Sequence, residues 1–138
     1  MILLQRGGCE RRCAVYRVVL FGDGTGIFDG EYYVNRPGVV RLRVPVQRIS
    51  AFIEQAIGRG FFNMRAEYGI SDSTGCSSFD NDDAPIAVIT ISAAGHAKTV
   101  VHHHRCIGDD TNRLTVLEDD VDKIVNAASL IRGGERTK

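Results

Sequence analysis

Gly8-Cys9-Glu10-Arg11-Arg12-Cys13-Ala14-Val15-Tyr16-Arg17-Val18-Val19-Leu20-Phe21-Gly22-Asp23-Gly24-Thr25 joins a two-cysteine loop to an apolar run and then to an Asp-Gly step. Residues 14–21 are mostly apolar, β-branched or aromatic apart from Arg17, which predicts a strand in the interior of a sheet. Gly22-Asp23-Gly24 ends the run. An Asp-Gly step between two such runs marks a tight hairpin, because Gly takes positive φ without strain and Asp tolerates it. The chain is therefore expected to return as a second strand over residues 25–34.

Downstream, Asn35-Arg36-Pro37-Gly38 has turn composition, and residues 39–44 alternate with period two. That pattern puts Val40, Leu42 and Val44 inward and Arg41 and Arg43 outward on a third strand. Ile49, Phe52, Ile53, Ala56 and Ile57 recur at helical spacing after Pro45, so a helix is expected over 46–59, with Gly60 as its C-terminal cap. Phe61, Phe62 and Met64 return the chain to the core, and residues 65–84 read as a long polar loop. Residues 86–92 and 98–104 read as strands flanking the turn Ala93-Ala94-Gly95-His96. Leu114, Leu117, Val121, Ile124, Ala128 and Ile131 form one helical stripe, with Thr115 and Glu118 at capping-box spacing and Gly133-Gly134 as the stop. The order hairpin, strand, helix, hairpin, helix predicts an α+β fold. It comprises a mainly antiparallel sheet of about five strands with two helices packed on one face. One domain over residues 1–138 is expected, with 1–8 and 133–138 flexible.

The 17 basic and 17 acidic side chains cancel, which removes the electrostatic footprint of a nucleic-acid binder. No apolar run approaches the ~20 residues of a membrane span. Four cysteines, Cys9, Cys13, Cys76 and Cys106, allow three pairings. The preferred reading is Cys9 with Cys13 and Cys76 with Cys106, which implies an oxidising compartment, periplasmic or secreted. Four reduced thiols and a four-thiolate zinc site are the competing readings; Cys76 and Cys106 supply no second knuckle for the latter. The start Met1-Ile2-Leu3-Leu4-Gln5-Arg6 is too short for a secretory leader, so a leader is expected to be absent from this sequence.

Gly8, Cys9, Cys13, Tyr16 and Gly22-Asp23-Gly24-Thr25 resemble the opening of a bacterial domain family of unknown function, whose members begin Gly-Cys-x3-Cys-Pro-x-Tyr and continue through a strand to Gly-Asp-Gly-Thr. Gly60-Phe61-Phe62 with Tyr68, Asp82-Asp83-Ala84-Pro85 and the helical stripe over 114–131 are similar to later parts of that pattern. Ala14 departs from it, standing where the family has proline. The resemblance implies a secreted or lipid-anchored envelope protein and carries no activity.

His102-His103-His104-Arg105-Cys106 is the most suggestive cluster for chemistry. On a strand His102, His104 and Cys106 share a face and can meet a transition metal, zinc or copper, with His96 across the turn. A polar strand whose cysteine is already paired accounts for the same residues without a metal. Asp72-Ser73-Thr74-Gly75 has one residue too many for an aspartic-protease signature. Asp80-Asn81-Asp82-Asp83 lacks the glycine and distal glutamate of a calcium loop. Gly22-Asp23-Gly24 has no following lysine or helix to cradle phosphate, and no Gly-x-Ser-x-Gly elbow exists. With no convergent acid, base and nucleophile, the residues favour a non-enzymatic, cofactor-free module that binds a protein partner, in the manner of an inhibitor or immunity protein. Tyr32, Tyr33, Arg41, Arg43, Asp72, Asp80 and Asp82 are the candidate contact residues.

Overall fold

The computed structural model describes residues 1–80 and 83–136, with side chains as far as Ile131. Its centre is a strand the periodicity did not announce. β1 (Ile2–Arg6) lies between β2 (Val15–Leu20) and β7 (Ile86–Ala93), antiparallel to both. Within residues 1–8, expected to be flexible, Ile2–Arg6 are instead paired in the sheet, with Ile2 and Leu4 fully buried. The physical reason is that a strand flanked on both sides needs only five apolar-rich residues, too few to display a period.

β2 turns at Gly22-Asp23-Gly24 into β3 (Thr25–Tyr32), and β4 (Gly38–Arg43) follows antiparallel. Asp23 Oδ1 accepts from the Thr25 backbone N–H at 2.9 Å and from its hydroxyl at 2.6 Å, closing the turn. Gly24 sits at φ 91°, and a Cβ there would lie 2.5 Å from the Val44 carbonyl, so only glycine fits. β7 returns through Ala94-Gly95 into β8 (His96–His103). Both turn residues have positive φ, 52° at Ala94 and 79° at Gly95, as a two-residue hairpin of this twist demands.

The expected five-strand antiparallel sheet becomes a mixed sheet of seven strands, in the order β4-β3-β2-β1-β7-β8-β5. The additions are β1 and β5 (Glu67–Tyr68), which runs parallel to β8. β5 belongs to the long polar loop, which is therefore well anchored. Tyr68 is fully buried, and β6 (Ser78–Phe79) pairs with β9 (Cys106–Ile107).

Among the described residues three α-helices form, not two. α1 (Val46–Gly58) buries Ile49, Phe52 and Ala56 and ends before Gly60, which takes the left-handed conformation at φ 78°; Ile57, expected on the buried face, is exposed. α2 (Asp109–Ile124) begins well before Thr115, because Asp109 and Asp110, which read as linker, are the acidic first turn that a helix N-terminus favours. Asn126 at φ 54° breaks the stripe, and α3 (Ala127–Arg136) follows. Gly133 and Gly134 lie inside α3, correcting the expected stop; residues 137 and 138 lie outside the described residues.

Cross-strand register puts Ile2, Leu4, Val18, Leu20, Phe28, Ile89, Ile91 and Val100 on the buried face of the sheet, beneath the helices. The opposite face carries Leu3, Val19, Ile27, Val88 and Val101, all half-buried. Antiparallel sheets tolerate one solvated face in this way.

Candidate metal centre

The buried face of β8 continues past Val100 to His102, and the next residue of that parity, His104, follows in the turn after the strand. The two rings stack with centroids 4.1 Å apart. Opposite them α2 presents Glu118, 0 % exposed, among Leu114, Leu117 and Val121. Glu118 Oε2 lies 2.8 Å from His102 Nδ1 and Oε1 lies 2.8 Å from His104 Nε2. The carboxylate thus holds both imidazoles in a single fork.

A buried carboxylate needs compensation, since the isolated charge is far costlier than any neutral polar group. Burial pushes the Glu118 carboxyl up, but the hydrogen bonds and charges of His102 and His104 outweigh it and hold the group below the usual carboxylate range. Arg6, on the same face of β1 as Ile2 and Leu4, adds its guanidinium 3.6 Å from Glu118 Oε1. Arg6 also donates to Asp122 at 2.7 Å, and the Tyr16 hydroxyl donates to the other Asp122 oxygen at 2.8 Å. At Asp122 burial dominates and raises the carboxyl above its ordinary value despite Arg6 and Tyr16. The same burial, with Asp122 beside it, raises Tyr16 as well. A continuous polar chain, Tyr16-Asp122-Arg6-Glu118-His102/His104, therefore runs beneath α2 and ties β1, β2 and β8 to it.

Because an ionised Glu118 only accepts, the facing nitrogens carry the protons: Nδ1 of His102 and Nε2 of His104. His102 Nε2 is left buried with no hydrogen-bond partner among the described residues. Such an orphan is unusual in a ring otherwise so well held. Ligand atoms of His102, His104 and Glu118 all lie within 4.8 Å of one another. Two imidazoles and a carboxylate are a donor set that zinc accepts with a fourth position open. His104, 22 % exposed, marks the side open to solvent.

Glu118 and Arg6 are not legible as site residues from the sequence pattern alone, although Glu118 carries a signal. Glu118 sits on the apolar stripe, four residues after Leu114 and three before Val121, where an acid is out of place unless partnered. Of the other proposed ligands, Cys106 is consumed by its bond to Cys76 and His96 sits at the far end of β8 beside Phe62, so neither joins the cluster. The second disulfide joins Cys9 to Cys13, and no free cysteine remains.

The proposed contact residues do not converge. Arg41 and Arg43 are exposed on β4 at one edge of the sheet, and Tyr32 and Tyr33 are exposed at the end of β3. Asp72 caps its own turn through the Thr74 N–H, 2.9 Å away, in the segment leading to β6 near the opposite edge. Asp80 follows β6 there, its N–H donating to the Arg105 carbonyl at 2.7 Å. Asp82 lies outside the described residues.

The profile of the family described as Domain of unknown function (DUF6438) matches residues 1–125. The chain belongs to that family. The DUF6438 match takes in every residue of the polar chain under α2 and both disulfides, and stops at the end of α2. No curated protein matches the chain significantly. Among the described residues no helix is long and apolar enough to cross a membrane.

Proposed function

We propose that this DUF6438 domain is a periplasmic or secreted module that binds one zinc-like transition-metal ion through His102, His104 and Glu118. The observation that carries the reading is the fork itself: a fully buried carboxylate facing two stacked imidazoles, one of which keeps an unpartnered buried nitrogen. His102 and Glu118 come from rigid elements, β8 and α2, with His104 in the turn adjoining β8, so a metal bound between them would displace the ring protons now shared with the carboxylate from groups already held in place. The two disulfides support the oxidising compartment. Arg6 balances part of the carboxylate charge and orients it.

Calorimetric titration of tag-free protein with zinc tests this. One ion per chain is expected, lost in His102→Ala and in the partly exposed His104→Ala, and retained in His96→Ala and His103→Ala. Absence of uptake at stoichiometric zinc, or uptake unchanged in His102→Ala, refutes the reading.

A second reading is favoured by the uncovered sheet face. A groove of about 520 Å³ there is lined by residues including Gln5, Arg17, Asp29 and Val88. A protein partner laid on that face would cover Leu3, Val19, Ile27 and Val88. Capture from an envelope extract that is abolished by Val88→Asp and unaffected by Val116→Asp on α2 supports it; equal capture by both variants refutes it.

A further inference from the structure

The two disulfides differ in setting. Cys76–Cys106 bridges a sequence separation of 30, and Cys106, 1 % exposed, sits in β9 against the core. Cys9–Cys13 bridges a separation of 4 in the loop between β1 and β2, and both its cysteines are only partly covered. A groove of about 850 Å³ opens beside this loop, lined among the described residues by Arg11, Arg12, Cys13, Tyr33 and Ile131 but not by Cys9. Of the two bridged residues, Cys13 borders the groove. Arg12 is exposed, and the Arg11 side chain, 83 % exposed, reaches Asp83 at 3.3 Å. The loop between the cysteines thus carries two cationic side chains, one of them paired with Asp83, that attract an incoming thiolate.

We propose that Cys9–Cys13 is a thiol–disulfide exchange site that takes two electrons from a dithiol, with Cys13 as the sulfur attacked. The first thiolate of the dithiol forms a bond to Cys13 Sγ while the Cys9–Cys13 bond breaks, and its electron pair leaves on Cys9 Sγ. The second thiolate of the dithiol then attacks its own mixed-disulfide sulfur and releases Cys13. The dithiol becomes a disulfide, and Cys9 and Cys13 become thiols on taking up two protons. The fold does not depend on this bridge for its register. β1 and β2 pair over five residues from Ile2 with Leu20 to Arg6 with Tyr16, and the loop is separately held by the Glu10 N–H donating to Asp83 Oδ1 at 2.6 Å. Exchange here is read out separately from the metal reading, since neither Cys9 nor Cys13 is among the proposed ligands His102, His104 and Glu118.

Graded dithiothreitol redox buffers applied to the native protein, followed by maleimide blocking and peptide mapping, test the site. Cys9 and Cys13 are expected to label at a reduced-to-oxidised dithiothreitol ratio at least tenfold below that needed for Cys76 and Cys106, with the circular dichroism unchanged. The first adduct trapped with glutathione, a monothiol, is expected on Cys13. Replacing Arg11 and Arg12 together by Gln is expected to slow opening several-fold while leaving the fold intact. Both bridges opening together, or Cys9–Cys13 opening only with loss of the fold, overturns the proposal. A glutathione adduct on Cys9 overturns the assignment of the attacked sulfur.

Discussion

Replacing Glu118 by Ala is the sharpest perturbation this fold offers. The carboxylate is fully buried and accepts from two rings at 2.8 Å, with Arg6 at 3.6 Å. Hydrogen bonds to a charged group contribute about 1.5–3 kcal/mol each, and removing one partner of a buried ionic cluster typically costs about 3–5 kcal/mol because the rest is left desolvated and unpaired. Glu118→Ala is therefore expected to lose about 3–5 kcal/mol. Glu118→Gln should lose roughly half as much, since its amide oxygen still serves one ring while its NH2 group confronts the other. Urea unfolding of metal-free protein at neutral pH, followed by far-ultraviolet circular dichroism, reads both. The pH dependence has a definite sign. Glu118 is held below its ordinary value of 4.5 in the fold, so its contribution is present above that value and is lost as pH falls through the lower folded value. Asp122, raised above 3.8, acts oppositely, and the fold gains from it as pH falls toward 3.8. A loss below about 1 kcal/mol in Glu118→Ala would refute the claim that this carboxylate organises the face beneath α2.

Leu4→Ala in β1 is expected to cost about 2–5 kcal/mol, as for any buried leucine, while Gln5→Ala on the exposed face should stay within about 0.5 kcal/mol; equal effects in chemical denaturation would remove β1 from the sheet centre. Ala94→Asn relieves a non-glycine residue at φ 52° and should stabilise by roughly 0.5–1 kcal/mol, read as a higher Tm. Burial and the hydrogen bond to Asp110 push the Tyr68 hydroxyl from 10.0 up to about 12, so the stability it contributes is complete below pH 10 and is lost as pH rises to about 12. Tyr68→Phe should flatten alkaline unfolding in that window.

The elements that were legible in the sequence are those whose cause is local. The Asp-Gly turn after β2, the alternation of β4 and the apolar stripe of α1 each depend on neighbours a few residues away. β1 is different, because what makes Ile2–Arg6 a strand is pairing with residues 16–20 and 87–91, which no window along the chain contains. The candidate site failed in the reading for a related reason. His102 and His104 are visible as a same-face pair, but the spacing of Thr115 and Glu118 imitates a cap and Asp109-Asp110 has linker composition, which displaces the expected start of α2. Placed correctly, Glu118 falls in mid-helix on an apolar face, where only a buried partner explains it.

The position of β1 also has a kinetic consequence. Its five residues precede every other strand of the sheet in the sequence, but the partner that completes their burial, Ala87–Ile91, is made some eighty residues later. Until then an apolar segment waits half-covered on the β2–β3 hairpin, and closing the sheet requires one long-range encounter. Folds governed by such distant pairings are slow and exposed to aggregation while they wait. This domain should therefore fold late and all at once, with β1 among the last elements to be secured.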